Sequence, residues 1–266
     1  MGEFGHVILT VFNVRLQFGG NTAPDEEWLK HRFDLFDSFC YPSVRGQKNL
    51  NFKWLVFFDV STPEHFRKKI ASYAQWENFV PYYVDHPMSV DLFAGMKKDV
   101  ISQAIPRTNH LISTLLDNDD ALSMNYVESI QNLFCGQKFE FINFTNGYVL
   151  NKENNRLYSK KDDSNPFISL IETMEDFKTV WCGSHHELSS QGNMRQVETH
   201  PMWLQVVHGR NVLNNVGIRR RVPIKLLDGT FSLGYTYDPD SENEVTVFLE
   251  NVRNKFRYLA TMPTRL

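Results

Sequence analysis

The stretch HLISTLLDNDDAL, His110 to Leu122, decides how the chain is read. From His110 to Leu116 it is an apolar run of strand length, with β-branched Ile112 and Thr114 inside it. It ends on Asp117-Asn118-Asp119-Asp120. Upstream, His6 to Phe12 (HVILTVF) and Lys53 to Phe58 (KWLVFF) are runs of the same kind, and Phe79 to Val84 is a shorter one. Helical signals lie between them. After the acidic first turn Asp25-Glu26-Glu27, residues Trp28, Leu29, Phe33, Phe36 and Phe39 recur at helical spacing, and Pro42 and Gly46 mark the expected end. Ser61-Thr62-Pro63-Glu64 opens a second helix through about Tyr73, and Val90 to Ile105 reads as a third. Strand and helix therefore alternate over the first half, which predicts a parallel sheet with covering helices. Ligands of such sheets bind outside the carboxyl ends of the strands. The polar residues expected there are Asn13, Arg15, Asp59, Asp85 and Asp117 to Asp120.

The second half is less regular. Met124 to Phe134 reads as a helix, and Phe139 to Phe144, Gly147 to Leu150 and Arg156 to Lys160 as strands. Pro166 to Glu172 reads as a helix opening, Thr179 to Cys182 and Trp203 to Val207 as strands, and Ile224 to Tyr237 as strand and turn. Val245 to Leu259 reads as a closing helix. No repeat or linker interrupts the chain, so the expected class is α/β in one domain, with a mixed α+β second half.

Composition narrows the function classes. The 266 residues carry 28 Lys and Arg against 31 Asp and Glu, a net charge of −3. That is no basic excess, so general nucleic-acid binding is not expected. With 42% hydrophobic and 22% charged residues the chain is globular rather than disordered. Its 14% aromatic content, with 21 Phe, points to a dense core or to a pocket for planar groups. Cys40, Cys135 and Cys182 are far apart and form no CxxC pair, so free thiols in a reducing compartment are expected. No apolar stretch reaches transmembrane length, and Met1 to Gly5 lacks the basic start of a signal peptide, so a cytoplasmic location is expected.

Asp117, Asp119 and Asp120 place three carboxylates within four residues. They repel one another unless a cation neutralises them. A hard ion such as Mg²⁺ or Mn²⁺, with a diphosphate as co-ligand, suits this position at a strand end. The competing reading is a solvated acidic turn, because Asp and Asn are common turn formers. An EF-hand is excluded: counting from Asp117, the loop's invariant glycine position holds Leu122.

Pro42 to Gln47 (PSVRGQ) followed by Trp54 to Asp59 (WLVFFD) resembles the first helix end and second strand of the GT-A glycosyltransferase fold. Arg107 lies ten positions before Asp117, where such enzymes often place a basic residue. With LDNDDAL read as a DxD motif, NFTNG (Asn143 to Gly147) and WLQVVHGRN (Trp203 to Asn211), the pattern resembles the bacterial rhamnosyltransferase family over roughly residues 5 to 255. That resemblance implies transfer of a sugar, rhamnose by the family's name, from a nucleotide-diphosphate donor to a glycan or lipid-linked acceptor. Residues 1–122 would form the nucleotide-sugar half and 123–266 the acceptor half. Asp119 would bind a Mn²⁺ or Mg²⁺ ion bridging the diphosphate, Asp117 would contact ribose or metal, and His208 would be a further metal ligand. Asn13, Arg15 and Asp59 would line the nucleoside site, and Arg107 would act there or at the phosphates.

Inverting transfer needs a base for the acceptor hydroxyl. Glu172 and the pair His185-His186 are the candidates, and a retaining reaction would need none of them. Trp181 and Trp203 read as core residues, with stacking on a sugar face as the alternative. Arg219-Arg220-Arg221 reads as a solvated loop, with a phosphate or an anionic membrane surface as the alternative contact. Gly19-Gly20 makes no phosphate loop. Two rival functions remain at this level. A nucleotidyltransferase normally carries a Gly- and Lys/Arg-rich loop after the first strand, and Asn13 to Gly20 is not one. A non-catalytic carbohydrate-binding module would have no use for the acid cluster.

Overall fold

The computed structural model describes residues 3–15, 25–85, 90–209, 220–238 and 243–261, with side chains described throughout except at 90–94 and 255–261. Gly19, Gly20, Arg219 and the end of the WLQVVHGRN stretch lie outside these residues. The apolar runs of the first half form the centre of a seven-stranded sheet. β1 (Phe4–Val11), β2 (Lys53–Asp59), β3 (Phe79–Val84) and β4 (His110–Leu115) pair in parallel in the order β3-β2-β1-β4. β1 and β2 are buried along nearly their whole length. That is why they read as unbroken apolar runs rather than as alternating ones.

The intervening helices are α1 (Glu26–Leu35), α2 (Tyr41–Arg45), α3 (Glu64–Tyr73) and α4 (Val90–Ala104). The Asp25 carboxylate caps α1 by accepting the Trp28 N–H at 2.7 Å. Pro42 does not end the first helical stretch, contrary to the expectation. A π-helical turn, Phe36–Cys40, joins α1 to α2, and the Tyr41 N–H reaches back five residues to the Phe36 carbonyl. Proline has no N–H to offer, and the wide turn ahead of Pro42 lets helical chain continue to Arg45.

Beyond β4 the chain crosses to a second sheet through β5 (Ala121–Leu122), then forms α5 (Tyr126–Gln131), β6 (Phe139–Phe144), β7 (Asn146–Asn151) and β8 (Arg156–Lys161). It ends with β9 (Ser169–Thr173), β10 (Asn193–Val197), β11 (Trp203–Val207), β12 (Arg220–Val222) and α6 (Glu244–Thr261). The large sheet is completed as β4-β9-β6-β10, with β9 antiparallel to both neighbours. The small sheet runs β12-β8-β7-β11-β5. The α/β class with a mixed second half, GT-A-like in its mostly parallel sheet, is the class observed.

Three local expectations are corrected. Pro166 to Glu172 is not a helix but leads into β9, whose Leu170 and Ile171 are fully buried between β4 and β6. A short apolar run does not reveal its own period, and pairing with two neighbours decides it. Thr179 to Cys182 is a turn, with Thr179 in the left-handed region at φ +68°. Ile224 to Tyr237 contains a 3₁₀ turn at Ile224–Leu227 instead of a strand.

One apolar cluster joins the sheets: Ile8, Phe36, Trp54 and Phe58 of the first half share it with Leu122, Met202 and Trp203. The aromatic surplus is spent mainly here, in pairs such as Phe33–Phe66 at 4.8 Å and Phe36–Trp54 at 5.3 Å. Trp203 is wholly buried and stacks on Phe167. It is a core residue and not a sugar platform. The cysteines are free: Cys40 buried, Cys182 half-buried and Cys135 exposed.

His6 gives the core a pH dependence. It is buried in β1, 3.0 Å from Thr114 Oγ1 and 3.1 Å from Gln131 Nε2, and burial lowers its pKa from 6.5 to about 3. Between these values the unfolded chain holds a proton that the folded chain refuses. Its contribution is therefore fully present above pH 6.5 and is lost as pH falls toward 3. In that window the single group changes stability by ~1.4 kcal/mol per pH unit. Urea unfolding of His6→Gln should show a shallower decline on acidification, by that one-proton slope. An unchanged slope would refute the assignment.

Candidate active site

The acid cluster is the hinge between the two sheets. Leu116 N–H still bonds the Leu9 carbonyl of β1, and five residues later Ala121 pairs with Leu204 of β11. Each residue of the turn has a separate task. Asn118 donates from Nδ2 to the carbonyls of Val11 (3.1 Å) and Phe12 (2.9 Å), which ties the turn to the end of β1. Asp120 accepts the Val206 N–H at 2.7 Å, which ties it to β11. Burial, then repulsion from Asp119 and Asp117, pushes the Asp120 carboxyl well above the usual carboxylate range.

Asp119 Oδ2 accepts from Arg32 Nη1 at 2.6 Å and stands 2.9 Å from His208 Nε2. Burial works to raise its pKa, but the His208 hydrogen bond and the Arg32 charge outweigh burial and hold it below the ordinary value. Arg32 also donates to Asn118 Oδ1 at 3.2 Å, and His31 Nε2 lies 3.2 Å from His208 Nδ1. Asp117 is exposed and opens on the cavity. Partial desolvation, followed by the Asp119 charge, raises its pKa against a smaller lowering by Arg32.

Asp117 and Asp119 stand on the wall of a cavity of about 600 Å³ at the carboxyl ends of the strands. Arg32, Lys160, Asp162, Trp181, His185 and His186 line it as well. Asp162 bonds Lys160 Nζ at 2.7 Å and the Ser164 N–H at 2.9 Å. Those two contacts outweigh burial and lower the Asp162 pKa. His185 Nδ1 lies 2.7 Å from the Ser164 carbonyl. A carbonyl only accepts, so Nδ1 carries the proton and Nε2 keeps its lone pair. Burial lowers the His185 pKa, which keeps the ring neutral at pH 7. Trp181 lies under Lys97 Nζ, 4.2 Å from the ring centroid, and burial lowers Lys97 to about 8.

The other expected residues fall into two groups. Asn13, Arg15 and Asp59 gather at the ends of β1 and β2: Arg15 Nε donates to Asp59 Oδ2 at 2.9 Å, and Asn13 Oδ1 accepts the Asp59 N–H at 3.1 Å. None of the three lines the cavity. Arg107 and Glu172 are not brought to the site. Arg107 precedes β4, at the opposite end of the sheet, where it lines a different cavity with Ser102 and Met174. Glu172 pairs in register with Leu111, near the start of β4. Its carboxylate accepts the N–H groups of Lys178 (2.7 Å) and Thr179 (2.8 Å) and so clamps the left-handed turn there.

Arg32, Lys160 and Asp162 were not anticipated. They come from α1, β8 and the residue after β8, and the sequence holds no local signal for them.

Among the described residues no three His, Cys, Asp or Glu side chains form a ready metal cage. Asp119 and His208 nevertheless place one carboxylate oxygen and one ring nitrogen side by side, in a hydrogen bond of 2.9 Å that an ion would replace. Mg²⁺ commonly takes one or two protein ligands and fills the rest with phosphate oxygens and water.

Fold and site together define a GT-A-like α/β protein with an acidic site at the carboxyl edge of its sheet. The chain belongs to the family described as "Putative rhamnosyl transferase", which matches residues 21–220. No curated protein matches it at a significant level. Among solved structures it is similar to Staphylococcus aureus TarS 1–349, at 8% identity and TM-score 0.43 over 76% of this chain and 60% of that one. It is similar also to HddC from Yersinia pseudotuberculosis in complex with GMP-PN, at 7% identity and TM-score 0.40 over 73% and 90%. A "putative nucleotide-diphospho-sugar transferase" from Desulfovibrio desulfuricans G20 is similar at 8% identity and TM-score 0.39 over 97% and 99%. The chain thus spans 60% of the length of the TarS fragment.

Proposed function

We propose that the chain transfers a sugar, rhamnose by the family's description, from a nucleotide-diphosphate donor to a glycan or lipid-linked acceptor. The observation that carries this reading is the meeting of Arg32 and Asp119 beside Asp117 on the cavity wall, with the buried His208 2.9 Å from Asp119. Asp119 and His208 would hold a divalent ion, Mn²⁺ or Mg²⁺, which when bound supplies positive charge for a leaving diphosphate. Arg32 adds a fixed cation at the same place, and its guanidinium geometry suits phosphate oxygens. Asn13, Arg15 and Asp59 supply polar contacts to the nucleoside. His185 serves as the acceptor base through Nε2, which its bond to Ser164 leaves unprotonated. An inverting reaction follows from that role. Trp181 offers its ring to a sugar face from the same wall.

Incubation with a panel of nucleotide sugars and Mn²⁺ tests the proposal. The expected product is free nucleoside diphosphate from one donor. Release of pyrophosphate instead would make the protein a nucleotidyltransferase, and glycan binding with no donor turnover would make it a binding module.

A further inference from the structure

Among the described residues, three other than glycine take a left-handed backbone: Asn155, Asp176 and Thr179. Asn and Asp visit that region readily. Thr179, at φ +68°, is the outlier, because a β-branched side chain crowds the backbone there. Such strain persists only where the surroundings enforce it. Here the enforcement is visible. Glu172 is buried in β9, and its carboxylate accepts the Lys178 N–H at 2.7 Å and the Thr179 N–H at 2.8 Å. Ser113 Oγ of β4 accepts the Val180 N–H at 2.8 Å. Thr179 then accepts the next two: the Trp181 N–H on Oγ1 at 3.3 Å and the Cys182 N–H on its carbonyl at 3.2 Å. Five consecutive N–H groups are thus held in place.

The turn carries Trp181. Val180, just before it, is buried in one cluster with Leu111 and Leu170 and pins the chain to the sheet. The Trp181 ring packs on Phe57, 5.7 Å away between centroids, and under Lys97 Nζ, and it lines the cavity with Asp117 and His185. A glycine at 179 would take this backbone without strain, but it would have no Oγ1 for the Trp181 N–H.

We propose that Glu172 is a positioning residue for the cavity: by clamping the strained turn at Thr179 it sets the Trp181 ring on the cavity wall. That the ring meets a sugar face rests on the transferase reading; its placement by Glu172 does not. Glu172→Gln turns an amide donor toward one of the two N–H groups, which is then buried without an acceptor. The turn loses what offsets its strain, and Trp181 leaves its place.

Fluorine NMR of the full chain labelled with 5-fluorotryptophan tests this without any substrate. The chain has five tryptophans, and Trp181→Phe assigns the resonance of Trp181. In Glu172→Gln that resonance should shift or split, while those of the buried Trp54 and Trp203 stay. Adding Thr179→Asn should bring it back, because asparagine tolerates the left-handed backbone and keeps a side-chain oxygen for the N–H two residues on. Where Glu172→Gln alone does not fold, the double variant should, and Thr179→Asn alone should raise the urea midpoint. In the nucleotide-sugar assay, Glu172→Gln combined with Trp181→Ala should lose no more turnover than the worse of the two alone. An unmoved Trp181 resonance in a folded Glu172→Gln protein, even with a lowered urea midpoint, would overturn the proposal. So would a double variant no better than Glu172→Gln, or turnover losses that simply add. The expected resonance changes in a protein that turns over no donor would uphold the positioning role and sink the transferase reading alone.

Discussion

Asp119→Asn is expected to abolish measurable sugar transfer, with a loss of at least ~10²–10³-fold in turnover, the range seen when one electrostatic stabiliser of a leaving or developing charge is removed. The substitution keeps the shape and one oxygen acceptor but removes the charge. Arg32 retains its contact with Asn118 Oδ1 at 3.2 Å, so the turn keeps a partner for the guanidinium. Mutual repulsion among Asp117, Asp119 and Asp120 falls at the same time. The lost ion pair and the relieved repulsion oppose each other, so the urea midpoint should move little. Mn²⁺ affinity, measured by electron paramagnetic resonance without any donor, should fall in parallel with turnover. A variant that releases nucleoside diphosphate at the wild-type rate would defeat the proposed role. Unchanged Mn²⁺ affinity with lost turnover would leave Asp119 at the substrate and remove it from the metal.

Asp119 was legible in the sequence because its cluster follows an apolar run at a strand end, and strand ends of a parallel sheet converge. His208 was legible for a related reason: it follows β11, and β11 pairs with the β5 residues just after the cluster. Arg107 misled because distance along a strand is not proximity. The six steps from Leu111 to Asp117 already span ~20 Å of extended chain, and Arg107 lies before them. Glu172 misled because its segment was read with a helical period, which hid its register against Leu111. Arg32 could not be read at all. It reaches Asp119 from a helix 87 positions away, and that packing exists only once α1 lies across the sheet.

The fold was more legible than the site. β1 and β2 are buried on both sides, so their sequences carry a strong apolar signal. β10 carries almost none: it is an edge strand of Asn193-Met194-Arg195-Gln196-Val197, largely exposed, and its place comes from pairing with β6. The run of helix through Pro42 was hidden for a similar reason, since only the π turn makes it possible.

Trp203→Ala is expected to cost ~3–5 kcal/mol, the usual range for removing a large aromatic from a core. That is a large part of the total stability of an ordinary domain. The residue sits where the small sheet meets the large one. It pairs with Leu122 of β5 on one side and Gly147 of β7 on the other, and its Nε1 donates to the Phe144 carbonyl of β6 at 2.8 Å. Gly147 is the complement of that ring: a Cβ there would lie 2.1–2.3 Å from three Trp203 ring atoms. Gly147→Ala should therefore cost ~1–3 kcal/mol by overpacking. In the Trp203→Ala background the obstacle is gone, so the same glycine substitution should cost far less. The two costs should then fail to add by ~0.5–3 kcal/mol. Urea unfolding of the two single variants and the double variant measures this, and strict additivity would show that the ring does not press on Gly147. Donor turnover per folded molecule should survive Trp203→Ala at low temperature, because the ring faces the core and the cavity belongs to Trp181.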